Sequence, residues 1–268
     1  MVLVFLTLPL IAILSTWAFR DMGWCQTNYQ GKMVPYSLGV FVLYSYAALC
    51  AYLPMGSVVF AYGALVYVCF VWIAGYIDDR FGTHDPKGLL GHIHHVRRSQ
   101  RLTAGSIKAL LVVFAAVAYT FGTRGLHGNW WMNGLVGLIL ILSPHVANLF
   151  DTRPLRLWKL AIVAMAGFLM IEPLPSFAFL LYLVSVFYIM YVLEGERRAM
   201  LGDNGALCMG ALLAVWVVER QPTGFQLGVF AILSLLTLLA ERLSFSGVIE
   251  RFSFLRWLDT LGISKRNA

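Results

Sequence analysis

Residues 71–82 read VWIAGYIDDRFG, an apolar run that ends on Asp78 and Asp79 and continues into Arg80. Adjacent carboxylates repel each other, and at a helix C-terminus they also oppose the helix dipole, which favours cations there. A bound cation or a paired lysine relieves both penalties. Hard divalent ions such as Mg²⁺ take oxygen ligands and keep substrate phosphates among them, so the pair suits metal-assisted phosphate chemistry. Lys87 and Arg80 are the local cationic partners. The competing reading is a solvated helix end. Two further segments place an aspartate at an apolar boundary. Residues 148–159 read NLFDTRPLRLWK, and residues 199–210 read AMLGDNGALCMG, with Asp203 between two glycines at the entry to an apolar helix. Asp203 could serve only as a helix cap, and Gly202 and Gly205 could only ease a turn. Three such aspartates could also converge on one metal and one diphosphate.

The elements that must position these groups are read from composition. The chain has 268 residues, of which 60% are hydrophobic and 12% charged, with mean hydropathy +0.76. Soluble domains carry about 25% charged residues, and apolar runs of about 20 residues are the length that crosses a bilayer as helix. A membrane β-barrel would alternate in short segments instead. The expected fold is an all-α integral membrane protein, a polytopic bundle of nine transmembrane helices. The spans fall at 2–19, 33–53, 57–76, 105–121, 131–147, 156–171, 174–192, 204–219 and 223–240. Residues 1–240 form one transmembrane domain with cytoplasmic loops near 20–33, 77–104, 148–157 and 193–203, and residues 241–268 form a cytoplasmic amphipathic tail.

Orientation follows from the basic residues. With the Asp78 loop in the cytoplasm and the sides alternating, every Lys and Arg except Arg124 and Arg220 falls inside. That is the positive-inside pattern, with the N-terminus outside and the C-terminus inside. It accounts for the net charge of +7 without nucleic acid and turns the basic loops toward anionic headgroups. The outer links AYLPMG, GTRGLHGNW, EPLP and ERQPTG are short, so the site is expected at the cytoplasmic face. The first segment lacks a basic n-region and stays apolar to Phe19, which reads as a span and not as a signal peptide. Cys25, Cys50, Cys69 and Cys208 are scattered with no CxxC, which argues against a disulfide framework or a cysteine metal site.

These residues resemble the polyprenyl-phosphate N-acetylhexosamine-1-phosphate transferases, the MraY/WecA family. GKMVPYSLG (31–39) is similar to the family's first inner loop, GYIDDRFG (75–82) to its aspartate pair, and KGLLGH (87–92) to the segment that follows. NLFD (148–151) resembles the front of its NxxNLxDGLDGLA loop, and MLGDNGALCMGALLA (200–214) its FMGDTGSLALG motif. The resemblance implies transfer of a sugar-1-phosphate from a nucleotide-diphosphate sugar to a polyprenyl phosphate, with release of a nucleotide monophosphate. It implies Mg²⁺, with Mn²⁺ as a substitute, to neutralise the diphosphate. Asp203 matches the magnesium-ligating aspartate. Asp78 matches the first of the pair, a base for the lipid phosphate. Asp79 would assist the metal, or orient the lipid phosphate or a lysine. Asn148 and Asp151 would shape the nucleotide-sugar side, and Lys87 would meet a phosphate. Departures are also present. The family's second aspartate after NLxD is replaced by Pro154, the first Asn of that loop by His145, and the aromatic residue before the magnesium aspartate by Met200. No histidine follows His145, so the family's late histidine-rich loop is missing. The alternative reading is a catalytically degenerate relative that binds the lipid carrier or assembles with other proteins.

Remaining features are assigned more plainly. HIHH (92–95) places His92 and His95 on one helical face, but no carboxylate or cysteine completes a zinc set; contact of His92 with phosphates or headgroups is the better expectation. VRRSQR (96–101) suits either a phosphate clamp or cytoplasmic anchoring. Arg153, Arg156 and Lys159 lie close to Asp151, and Arg153 is counted with the substrate-binding residues. ERLSFSGVIERFSFLRWLDTLG (241–262) reads as one amphipathic helix in the membrane interface. Expected partners are the polyprenyl phosphate, the nucleotide-diphosphate sugar, membrane lipids and a second copy of the chain. A transporter would carry ionisable residues deep in its spans, and these spans are almost free of them.

Overall fold

The computed structural model describes residues 2–52, 61–82, 103–125 and 129–264. Lys87, His92, His95 and the arginines at 97, 98 and 101 therefore lie outside the described residues. The described chain is predominantly helical: α1 Val2–Asp21, α2 Leu38–Tyr52, α3 Tyr62–Phe81, α4 Ala104–Arg124, α5 Trp130–Phe150, α6 Arg156–Leu169, α7 Phe177–Gly195, α8 Gly202–Arg220, α9 Thr223–Ala240, α10 Phe245–Arg251 and α11 Ser253–Thr260. A short antiparallel hairpin, β1 Cys25–Thr27 and β2 Met33–Pro35, separates α1 from α2, with Gln26 opposite Val34. Six helices, α1, α3, α4, α5, α7 and α9, are long and apolar enough to cross a membrane. The protein is an α-helical membrane protein.

The helices present apolar side chains on both faces, as helices set in lipid do. On α1, Val4, Leu8 and Ala12 are buried against the bundle while Leu6, Leu10 and Trp17 are exposed. Hydrocarbon is as apolar as leucine, so association must come from close packing and interhelical hydrogen bonds. Helix α8 supplies the first. It carries Gly205, Ala206, Gly210, Ala211 and Ala214, all buried, and packs most closely on α3, α5 and α2. A Cβ on Gly75 of α3 would lie 2.5 Å from the Asn204 Cα, and one on Gly210 would lie 2.5 Å from the Pro144 Cα. Tyr67 Oη donating to Leu140 O at 2.7 Å, Ser143 Oγ to Gly210 O at 2.8 Å and Tyr182 Oη to Ser45 O at 2.8 Å supply the second.

Several boundaries differ from the sequence reading, and three of the differences bear on the site and the tail. The second span was expected from residue 33, but α2 begins at Leu38 because Met33–Pro35 pairs with β1. The strand is held extended by Met200, whose N–H donates to Pro35 O at 2.9 Å and whose carbonyl accepts from Leu38 N at 3.3 Å. The third span was expected over 57–76, whereas α3 runs to Phe81, so Asp78 and Asp79 stand in its last turn. The tail is two short helices and not one: the backbone at Phe252 is extended (φ −98°, ψ 117°) and breaks the helix between α10 and α11.

Candidate active site

The two adjacent aspartates answer to different neighbours. Asp79, 9% exposed, is turned onto the N-terminus of α8. Its Oδ1 accepts from Asp203 N at 2.9 Å and from Gln26 Nε2 at 3.0 Å. Its Oδ2 accepts from Asn204 N at 2.8 Å and from Asn204 Nδ2 at 2.6 Å. The first turn of any helix has N–H groups without intrahelical partners and a positive dipole end. Asp79 caps that turn from another helix, where α8's own preceding residue, Leu201, offers no side-chain cap. The charge that is unfavourable for α3 is favourable for α8. All its oxygens are committed to protein donors, whereas the sequence offered it as a metal ligand and catalytic group.

That fit requires close backbones. Gly202 sits at φ +65°, and a Cβ there would meet Tyr36 Cβ at 2.8 Å and Asp79 Oδ2 at 2.9 Å. Gly39 faces Asn204, whose Oδ1 would be 1.6 Å from an added Cβ. Asn204 Nδ2 also donates to Tyr36 O at 3.1 Å. Burial, then the Asp79 charge, pushes the Tyr36 phenol up to about 12. The hairpin that delivers Gln26 is braced by aromatic edges, with Trp24 packed on Phe19 and on Tyr76 of α3.

Asp78, one residue earlier and about 100° around the helix, points to Lys108. The Lys108 ammonium is paired with Asp78 Oδ2 and, at 2.5 Å, with Asp203 Oδ2. Asp78 and Lys108 are 18% and 19% exposed at their side chains and Asp203 31%, so the triad opens to the surface. Thr103 caps α4 by accepting from Ser106 N at 3.1 Å, which places Lys108 in the second turn. The arrangement brings Asp78 and Asp203 together through a residue absent from the sequence-based site. The signal was present: Lys108 is a cation near the start of an otherwise apolar helix, as poorly matched to the local dipole as the aspartates are to theirs.

Two carboxylate oxygens directed at one cationic centre are a donor pair that magnesium or manganese accepts when substrate phosphates complete its shell. Among the described residues no group of three or more His, Cys, Asp or Glu side chains is arranged to hold a metal unaided. The pair therefore fits a divalent ion only together with a phosphate ligand.

A polar cleft of about 160 Å³, lined by none of the triad residues, is linked to the triad through Asp151, whose carboxyl feels the Asp203 charge. The hairpin contributes Asn28 and Tyr29, the α5–α6 connection Asp151 and Arg153, and the far side Glu194, Arg197 and Met200. Asp151 is half-buried at the C-cap of α5. Burial, with the nearby charges of Asp203 and Asp79, holds its carboxyl well above the ordinary range despite Arg156. Arg153 pairs with Glu250 and lies over the Tyr29 ring at 5.5 Å, and Arg197 lies over the same ring at 5.7 Å. Glu194 is 3% exposed, and among the described residues its Oε2 has no hydrogen-bond partner. Arg197 in the lining and Leu155, next to the lining residue Pro154, hold left-handed backbones (φ 59° and 64°), a costly conformation for bulky side chains of the kind that gathers at functional sites. Asn148 is half-buried one turn before Asp151, to which its carbonyl bonds (3.3 Å). Gln26, Tyr29 and Glu194 were not legible as site residues, because each reaches the site from an element that is remote in the chain; Asn204, next to Asp203, was not legible as the partner of Asp79. No protein-family model and no curated protein matches the chain.

Proposed function

We propose that the protein is a Mg²⁺-dependent transferase that moves a sugar-1-phosphate from a nucleotide-diphosphate sugar to a polyprenyl phosphate. The products are a polyprenyl-diphosphate sugar and a nucleotide monophosphate, for cell-envelope glycan synthesis. The observation that carries this reading is the convergence of Asp78 and Asp203 on the Lys108 ammonium. In this reading α1 to α9 all cross the bilayer of a bacterial plasma membrane, the N-terminus is outside, and the triad lies at the cytoplasmic face. The distribution of Lys and Arg supports that orientation.

Phosphoryl transfer is governed by positioning and charge neutralisation, and each group has a defined task. An oxygen of the polyprenyl phosphate attacks the β-phosphorus, which bears the sugar. The bond from that phosphorus to the bridging oxygen breaks, and the oxygen leaves on the nucleotide monophosphate. Asp78 accepts the proton of the attacking phosphate. Lys108 moves from the carboxylates onto the phosphate oxygens, where its charge offsets the charge that develops. Asp203 and Asp78 would hold the divalent ion, which supplies further neutralisation of the diphosphate. Asp79 is a positioning residue: by capping α8 it fixes where Asp203 stands. Asp151, Asn148 and Arg153 line or flank the nucleotide-sugar side. Lys87 of KGLLGH and His92 of HIHH, in the connection between α3 and α4, are assigned to phosphate contact in this reading.

The test is nucleotide monophosphate release by purified protein given Mg²⁺, a polyprenyl phosphate and a panel of nucleotide-diphosphate sugars. Asp78→Asn, Asp203→Asn and Lys108→Met should each lower the rate by roughly a hundredfold or more. In the second reading the protein binds the lipid carrier without reacting. The pairing of both carboxylates with Lys108 and the residues Pro154 and Met200 favour it. Lipid binding with no release from any donor would decide for it.

A further inference from the structure

The last helices have two unlike faces. The inner face is locked to the end of the bundle that carries the triad. Arg156, 4% exposed, forms a two-pronged ion pair with Asp259, 6% exposed, through Nε–Oδ1 at 2.7 Å and Nη2–Oδ2 at 2.8 Å. Lys159 Nζ donates to the carbonyls of Leu258 and Asp259 at 2.7 and 2.8 Å. Phe245 stacks on Phe150, and Ser264 N donates to Gly195 O at 2.9 Å. Burial raises the Asp259 carboxyl, but the hydrogen bonds and charge of Arg156 outweigh it and hold the group below the ordinary range.

The outer face is the reverse. At about 100° per residue, Phe254, Trp257 and Leu261 fall in one stripe directly opposite Asp259. They are 66%, 56% and 50% exposed. Phe252, at the break before α11, is also exposed (59%), as are the neighbouring Arg251 and Arg256. An aromatic and aliphatic stripe with neighbouring arginines matches the boundary between acyl chains and anionic headgroups. A soluble protein partner would leave the stripe's level unexplained, because the inner face fixes it beside the ends of α5, α6 and α7.

We propose that α10 and α11 form a membrane clasp: the outer stripe seats in an anionic leaflet, and the inner face holds the 151–156 loop against the polar cleft. Arg153 and Arg156, on that loop, are both held by the clasp, through Glu250 and Asp259. Each arginine near an anionic surface strengthens seating by about fivefold. The proposal rests on the chain spanning the bilayer and not on the transferase reading.

The test places an environment-sensitive fluorescent residue at Phe254, or at Gln30 of the hairpin as an exposed control, in the full chain in nanodiscs. Discs contain phosphatidylcholine alone or mixed with phosphatidylglycerol, with nitroxide-labelled lipid as quencher. The probe at 254 should be blue-shifted and quenched by the labelled lipid, more so in the anionic discs, and the probe at 30 should not. Arg251→Glu with Arg256→Glu should reduce the quenching in anionic discs to the neutral level or below. A probe at 254 as open to aqueous iodide as that at 30 in both disc types would overturn the proposal. So would lipid quenching that ignores both the charge of the discs and the arginines, or shielding that appears only when a second copy shares the disc.

Discussion

Asp79→Asn separates a structural carboxylate from a reacting one. Four N–H donors converge on the Asp79 oxygens, two per oxygen. The substitution turns one oxygen into an NH₂ group. Whichever way the amide is oriented, two donors then face another donor. Hydrogen bonds to a charged acceptor contribute about 1.5–3 kcal/mol each, so the gross loss is about 3–6 kcal/mol. The neutral side chain is spared the desolvation of a carboxylate, a cost of several kcal/mol at such burial, which offsets part of that loss. A net destabilisation of about 2 kcal/mol is expected, the scale of a lost buried network, and it lowers Tm by about 4–8 °C for a chain of this size. Asp78→Asn removes only one arm of a partly exposed ion pair, and Asp203 remains to hold Lys108, so its cost should stay below about 1 kcal/mol. The assay is thermal unfolding of the two variants in detergent, followed by helical circular dichroism. An Asp79→Asn protein that melts with the wild type, or an Asp78→Asn protein that melts earlier than Asp79→Asn, would refute the assignment of the cap to Asp79.

Other expectations follow from the same contacts. Gly75→Ala should destabilise by about 1–3 kcal/mol, read as a lower Tm, because its Cβ would meet Asn204 backbone at 2.5–2.6 Å and α3 and α8 would have to separate. Arg156→Met should cost about 3–5 kcal/mol by stranding the buried Asp259 carboxylate, and adding Asp259→Leu should restore much of the lost Tm. Asp151→Asn should be more stable than wild type at neutral pH. The Asp151 carboxyl is raised in the folded protein, so its contribution to stability is fully present below the unfolded value, about pH 4, and is lost as pH rises through the folded value. The gap in Tm between the variant and the wild type should therefore close as the pH is lowered toward about 4, and a gap that widens on acidification would contradict the assignment.

The helical character and the placing of aspartates where the apolar runs end were legible because both are set by local composition. Apolar runs long enough to cross a bilayer must be helical, and charged residues collect where the runs end. By itself, then, the sequence determined that this is an α-helical membrane protein with aspartates at helix boundaries. It did not determine what each aspartate does. Asp78 and Asp79 are chemically identical neighbours, and the helical rotation between them sends one to Lys108 and the other to the first turn of α8. Lys108, Asn204 and Gln26 come from separate elements and have no spacing rule that links them to Asp78 or Asp79. The tail followed the same logic. Its amphipathic pattern was visible, but the break at Phe252 and the burial of Asp259 against Arg156 depend on a loop about a hundred residues away. Hydrophobic periodicity is a property of adjacent turns; the pairing of buried charges is a property of distant ones, and only tertiary packing brings those within hydrogen-bond reach.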